Sequence, residues 1–200
     1  EYTDTNPTLT ISTNSNNNFV YQDSEGHTIV IGFIENNDPL SFVTNVVIQA
    51  NFYDDLSSNP LEVKEGSTIL KVIPPNTQSP FMIRSDNPNT DITDVSTKFL
   101  TFSTSESMKN LLRLSISDIS INPVTNSSDP VYTLSFSGIL RNGNSSISDA
   151  AVHLAFYDVF NRIIQISTIE IGDMNINELA PVKLNEEISS SSIGLSLIHI

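Results

Sequence analysis

Apolar and polar residues alternate along most of this chain. From Val46 to Asp54 the even positions include Val46, Ile48, Ala50 and Phe52, and the odd ones include Gln49, Asn51 and Tyr53. In a strand these two sets point to opposite faces, which makes one face core and leaves the other polar. Ala150, Val152, Leu154 and Phe156 repeat the apolar set, with His153, Ala155 and Tyr157 between them. Both runs end in the same triplet, Phe52-Tyr53-Asp54 and Phe156-Tyr157-Asp158, 104 positions apart. Each Phe is expected to close the apolar face and plug one end of a core, where full burial contributes ~1.5–3 kcal/mol. Each Tyr is expected on the other face or at the strand rim. Each Asp stands where alternation stops, and its carboxylate can accept from a backbone N–H two residues on and open a turn.

The repetition extends beyond the triplet. "TLTIS" at Thr8 to Ser12 matches "RLSIS" at Arg113 to Ser117, and "IGFIEN" at Ile31 to Asn36 matches "SGILRN" at Ser137 to Asn142. "SPFMI" at Ser79 to Ile83 resembles "APVKL" at Ala180 to Leu184. The offsets drift from 105 to 106, 104 and 101, as small loop insertions would make them. Two homologous units are the simplest reading, residues 1–106 and 107–200. Strands are expected near 8–13, 28–35, 44–53, 61–64, 68–73, 79–83 and 97–103 in the first. In the second they are expected near 112–121, 130–140, 149–157, 162–170, 174–176, 180–184 and 193–200. Turn signals such as "NNDP", "DDLSSNP", "PPNTQSP" and "RNGN" separate them. Gly32 and Gly138 fall inside strands, where glycine marks a bulge or a close backbone approach. Only "ESMKNLLRL", Glu106 to Leu114, offers a helical pattern, a single turn at the junction. The expected fold class is all-β, as two tandem immunoglobulin-like antiparallel β-sandwich domains.

Composition narrows the partners. The chain carries 23 carboxylates against nine Lys and Arg, a net charge of −14 and a pI near 4.3. The basic residues are scattered singly, which argues against a nucleic-acid partner and against an anionic membrane surface. No apolar stretch approaches the ~20 residues that cross a bilayer, so no membrane insertion is expected within this chain. The start at Glu1 rather than Met is read as a processed or trimmed chain. The absence of Cys excludes disulfides and thiolate metal sites without fixing a compartment. Ser, Thr and Asn fill about a third of the chain. Apolar residues in regular runs set such a polar surface apart from disorder.

Several of these residues carry a family resemblance. Gly32, then Asn36 four positions later, an apolar strand from Val46 ending in Phe-Tyr-Asp, and the Pro74-Pro75 turn before a late strand follow one order. That order resembles the FxLYD-type immunoglobulin-like domains of bacterial and archaeal envelope proteins. Tandem copies rich in Asn, Ser and Thr are similar to cell-surface proteins of ammonia-oxidising archaea. The second unit departs by having "GDMNINELAP" where the first has its Pro-Pro turn. The resemblance implies a secreted or cell-surface location and structural or interaction roles, and it transfers no catalytic residue.

The candidate sites are few. His27, His153 and His199 show no metal-ligand spacing, and no G-x-S-x-G elbow supports a nucleophile, so no enzyme and no cofactor is expected. The loop Ser85 to Asp94 gathers Asp86, Asn89, Asp91 and Asp94, hard oxygen donors that suit Ca²⁺. It lacks the spacing and terminal Glu of an EF-hand, and a solvated acidic loop is the favoured reading. Asn126 and Asn144 open Asn-Ser-Ser sequons in expected loops, glycosylation candidates if the chain is exported. Tyr53, Tyr157 and Phe160 are candidates for an exposed aromatic patch. The first and last strand candidates are read as members of their own sheets, or as strands donated to a neighbour's sheet.

These observations favour a non-catalytic structural subunit or module of a surface assembly: a pilus-like filament, an S-layer component or a stalk. Its partners would be copies of itself or other cell-surface proteins. The alternative is an adhesin or binding module recognising a glycan or a protein.

Overall fold

A computed structural model describes residues 9–11, 18–105, 114–125, 132–158, 162–188 and 193–199, with side chains placed over 18–105, 114–120, 134–157 and 162–185. The described residues are all-β, and every strand pairing with a described register is antiparallel. The strands are β1 (Leu9–Ile11), β2 (Phe19–Gln22), β3 (Thr28–Asn36), β4 (Phe42–Tyr53), β5 (Glu62–Ser67), β6 (Val72–Ile73), β7 (Thr77–Arg84) and β8 (Asp94–Ser105). They continue as β9 (Ser115–Thr125), β10 (Tyr132–Arg141), β11 (Ile147–Asp158), β12 (Ile163–Met174), β13 (Leu179–Ile188) and β14 (Ile193–His199). The chain divides into two compact units, Glu1–Lys109 with Arg162–Ile164, and Asn110–Asn161 with Gln165–Ile200.

Unit one holds two sheets. In the first, β3 is central, β7 lies along one edge, and β1 and β2 share the other, pairing with residues 34–36 and 28–31 of β3. In the second, β4 is central, β8 lies along one edge, and β5 and β6 share the other. One apolar cluster draws on both sheets: Val30 and Ile34 from β3, Phe81 and Ile83 from β7, and Val46, Ile48, Ala50 and Phe52 from β4. Alternation places these side chains there, and Phe52 is fully buried at the end of its strand. Asn18 ties the two sheets together, its Nδ2 donating to Thr97 Oγ1 of β8 at 3.0 Å.

Unit two repeats the strand order. Its sheets run β9-β10-β13 and β12-β11-β14, so β9 stands where β1 and β2 do, and β12 where β5 and β6 do. Phe156 is 1% exposed, as Phe52 is at 0%, and Leu140 and Ile34 are both at 0%. Left-handed backbone recurs at matching positions. Asn45 and Asp149 have φ of 52° and 55°, and Asn76 and Asn177 have 54° and 58°. Asn and Asp tolerate that conformation better than other residues with a Cβ.

The two glycines expected inside strands, Gly32 and Gly138, act differently. A Cβ on Gly32 would collide with Asn18 Oδ1 and come within 2.7 Å of Phe81 Cζ, so the position demands glycine for close approach. Gly138 sits at a register shift between β9 and β10, across from Asp118 and Ile119, with Asp118 at a φ of 53°.

Sequence expectation and structure part in a few places. The strand β2 falls where no strand was expected, because "FVYQ" is only four residues long. The separate strand expected at 174–176 is instead the end of β12 and the turn after it. The helical candidate, apart from Leu114, lies outside the described residues.

Candidate functional site

The strongest constellation in the chain is a pair of buried carboxamides. Asn36, at the end of β3, is 1% exposed. Its Nδ2 donates to three backbone carbonyls, Ser41 at 2.8 Å and Ile73 and Pro74 at 3.1 Å each. Its Oδ1 accepts from the Asp38 N–H at 3.1 Å. Asn142, just after β10, is 2% exposed. Its Nδ2 donates to Ser145, Met174 and Asn175 carbonyls at 2.8, 3.2 and 2.8 Å. Its Oδ1 accepts from the Gly143 N–H at 2.8 Å.

A carboxamide offers two N–H groups and one acceptor oxygen, so three carbonyls around one NH₂ use its donors fully. The left-handed Asn76 and Asn177 turn the chain so that these carbonyls face the carboxamide. The two turns are also pinned alike, with Asn76 N–H donating to Asp38 O at 3.2 Å and Asn177 N–H to Gly143 O at 2.9 Å. The second turn keeps this geometry without Pro-Pro. The clamps fasten the loop after β3 to the turn before β7 and the loop after β10 to the turn before β13, and they present no reactive group to solvent.

The acidic loop residues are dispersed. Asp86 pairs with Lys64, and its N–H donates to Glu62 Oε1 at 2.6 Å. Asn89 N–H donates to Gly26 O at 3.1 Å, and Asn89 Oδ1 accepts from Asp91 N–H at 2.9 Å. Asp94 lies on β8 opposite Tyr53. Among the described residues, no three His, Cys, Asp or Glu side chains come together as a metal would require.

The Phe-Tyr-Asp triplets diverge in their tyrosines. Asp54 Oδ1 accepts from Leu56 and Ser57 N–H at 3.1 and 2.7 Å, which opens the turn after β4. Tyr53 is partly exposed, whereas Tyr157 is 6% exposed, and Ala155 beside it is 1% exposed. The far face of β11 is therefore covered at its end, where its register with β14 also shifts between Ala155 and Tyr157. This corrects the expectation of an aromatic patch containing Tyr157. Burial pushes the Tyr157 hydroxyl up to about 12. Phe160, Asn126 and the side chains of Asp158 and His199 lie outside the described residues. Asn144 is exposed in the loop before β11.

Both described histidines have partners. His27 Nδ1 is 2.8 Å from Ser85 O, and His153 Nδ1 is 2.9 Å from Thr168 Oγ1. Burial holds the His153 imidazole below its ordinary value, against the opposing pull of Glu170. A shallow groove of about 350 Å³ lies between β5 and β7, lined by Lys64, Gly66, Met82, Ile83, Arg84 and Asp86. Its two cations are already paired, Lys64 with Asp86 and Arg84 with Asp23 and Glu25. The terminal strands are paired within the chain, β1 with β3 and β14 with β11.

No protein-family model matches the chain, and no curated protein matches it at a significant level. Sequence reasoning had marked Asn36 and Asn142 only by their place in a motif. A polar residue four positions after an in-strand glycine, in both units, was the available signal.

Proposed function

We propose that the chain is two tandem immunoglobulin-like β-sandwiches, of the FxLYD type by resemblance, forming a non-catalytic structural module of a cell-surface assembly. The observation that carries this reading is what the two units share. The repeated features are the plugged Phe and the carboxamide clamp, both interior, and the left-handed turns at the surface that shape the clamp. A repeated enzyme or receptor would repeat a set of exposed functional groups, and among the described residues none is repeated. A unit whose invariant content is scaffold suits a filament, lattice or stalk, where each copy bears load and spaces its neighbours. Asn144, exposed on a loop, is the described sequon that export would make available for glycosylation.

Light scattering and electron microscopy of the purified chain over rising concentration test this, with and without Ca²⁺. Concentration-dependent oligomers or ordered assemblies support the reading. A strict monomer at every concentration, in both conditions, removes its basis.

A further inference from the structure

The sheet edges of unit one differ in how they are protected. The edge strand β5 carries Glu62, Lys64 and Glu65. The outer edge of β7 contains Pro80 and is met by the crossing chain, where Ile69 N–H donates to Pro80 O at 2.8 Å. The strands β1 and β2 are three and four residues long. Charges, proline, covering chain and short length all discourage pairing with another molecule. By contrast, β8 runs for twelve residues without Pro or Gly. It pairs with β4 along one edge, and among the described residues the backbone of Asp94–Thr104 has no partner along the other. Phe99 and Leu100 are each 38% exposed, which adds apolar surface to the open edge.

The charges on β8 follow a simple pattern. Asp94 and Lys98 are its only two, of opposite sign and four residues apart, with Ser96 midway. Neither has an ion-pair partner among the described residues. From Asp94 to Phe99 the pairing with β4 runs without a shift, and the irregularity comes only after Phe99. This straight stretch is complementary to itself when run antiparallel. In a chain of net charge −14 it is a neutral strip.

We propose that β8 pairs antiparallel with β8 of a second copy about a twofold axis at Ser96. Asp94 then stands opposite Lys98 of the second copy, Lys98 opposite its Asp94, and Val95 opposite its Thr97. Directly opposed residues share a face, so both ion pairs form on the exposed face with Ser96 between them. The second sheet of unit one becomes continuous across two molecules, and the contact is isologous and closed. The inference rests on the assembly reading and specifies one contact within it.

The chain contains no cysteine, so single substitutions report on the pairing without background. Residues facing each other across an antiparallel pair lie ~4.5–5.5 Å apart at Cα, within disulfide reach. Under mild oxidation Ser96→Cys is expected to form a covalent dimer much faster than Leu56→Cys, whose position is 95% exposed on a loop. By sedimentation, Lys98→Asp should weaken dimerisation about tenfold by setting like charges opposite each other twice. The double exchange Asp94→Lys with Lys98→Asp should restore it. Equal cross-linking of Ser96→Cys and Leu56→Cys, faster cross-linking at Leu100→Cys, or no restoration by the double exchange overturns the β8 contact. If the unaltered chain still assembles in light scattering, the assembly reading survives that failure. A chain that stays monomeric throughout removes both.

Discussion

Asn36 and Asn142 sit at the same point of two successive strand arrangements, and each donates its carboxamide NH₂ to three backbone carbonyls. Both are almost fully buried, so removing either takes the donor from three carbonyls, of which Ile73 and Met174 lie in buried surroundings. Asn36→Ala and Asn142→Ala are each expected to cost about 2–3 kcal/mol, read as a lowered urea midpoint by circular dichroism. Asn36→Asp should cost more at neutral pH, because its carboxylate faces acceptors, and should recover part of the loss as acid protonates it.

Gly32 and Gly172 give a paired test of why glycine is present. Gly32 has no room, because an added Cβ would press on Phe81 Cζ at 2.7 Å and on Asn18. Gly172 has open space around it and a φ of 85°. Gly32→Ala is expected to cost about 1–3 kcal/mol through overpacking and Gly172→Ala about 1 kcal/mol through backbone strain alone. Thermal unfolding of the two variants checks the order, and equal losses would contradict the close-approach account of Gly32.

His153 and Asp23 both act on the acid side of the stability profile, and Asp38, held low by the N–H groups of Leu40 and Ser41, acts with Asp23. Burial lowers the His153 imidazole, so the folded chain prefers it neutral. Its contribution is intact above the unfolded value near 6.5 and declines as pH falls below it. Burial would raise the Asp23 carboxyl, but Arg84 and the N–H groups of His27 and Glu25 outweigh it and hold the group low. That contribution is present above the unfolded carboxylate value near 4 and is lost as pH falls through the lower folded value. Urea titrations from pH 7 to pH 3 should therefore show two declines. His153→Gln should remove the first and Asp23→Asn should reduce the second.

Tyr157 sets a marker at the alkaline end. Its hydroxyl is pushed up to about 12 by burial, so the proton is held in the folded chain after an unfolded tyrosine has lost it near 10. Its stabilising effect is complete below pH 10 and fades as pH rises toward 12. Absorbance of the tyrosinates should show a late step that Tyr157→Phe abolishes. A single step near pH 10 in the parent chain would contradict the burial of Tyr157.

The alternating runs made β4, β10 and β11 legible, since period-two patterning over eight or more residues has few other readings, and β3 was legible as a nearly continuous apolar run. The repeat was legible for the same reason, because it lies in buried positions that alternate. Three things were not. The strand β2 is too short for its alternation to register, and it is held by pairing with β3 rather than by its own pattern. Tyr157 matches Tyr53 in sequence but not in burial, and what covers a strand's far face is tertiary information. The clamp was hidden because its acceptors come from loops far apart in sequence, joined only once the sheets form. Asn36 is separated from Pro74 by 38 residues.

Hydrogen exchange at the Asn36 and Asn142 side-chain amides, followed by NMR, tests most directly that the two units share one construction. Two Nδ2 amides that exchange far more slowly than that of exposed Asn144, one lost in Asn36→Ala and the other in Asn142→Ala, are the predicted result. Exchange of either amide at the rate of Asn144 would show that its unit lacks the clamp and would contradict the account.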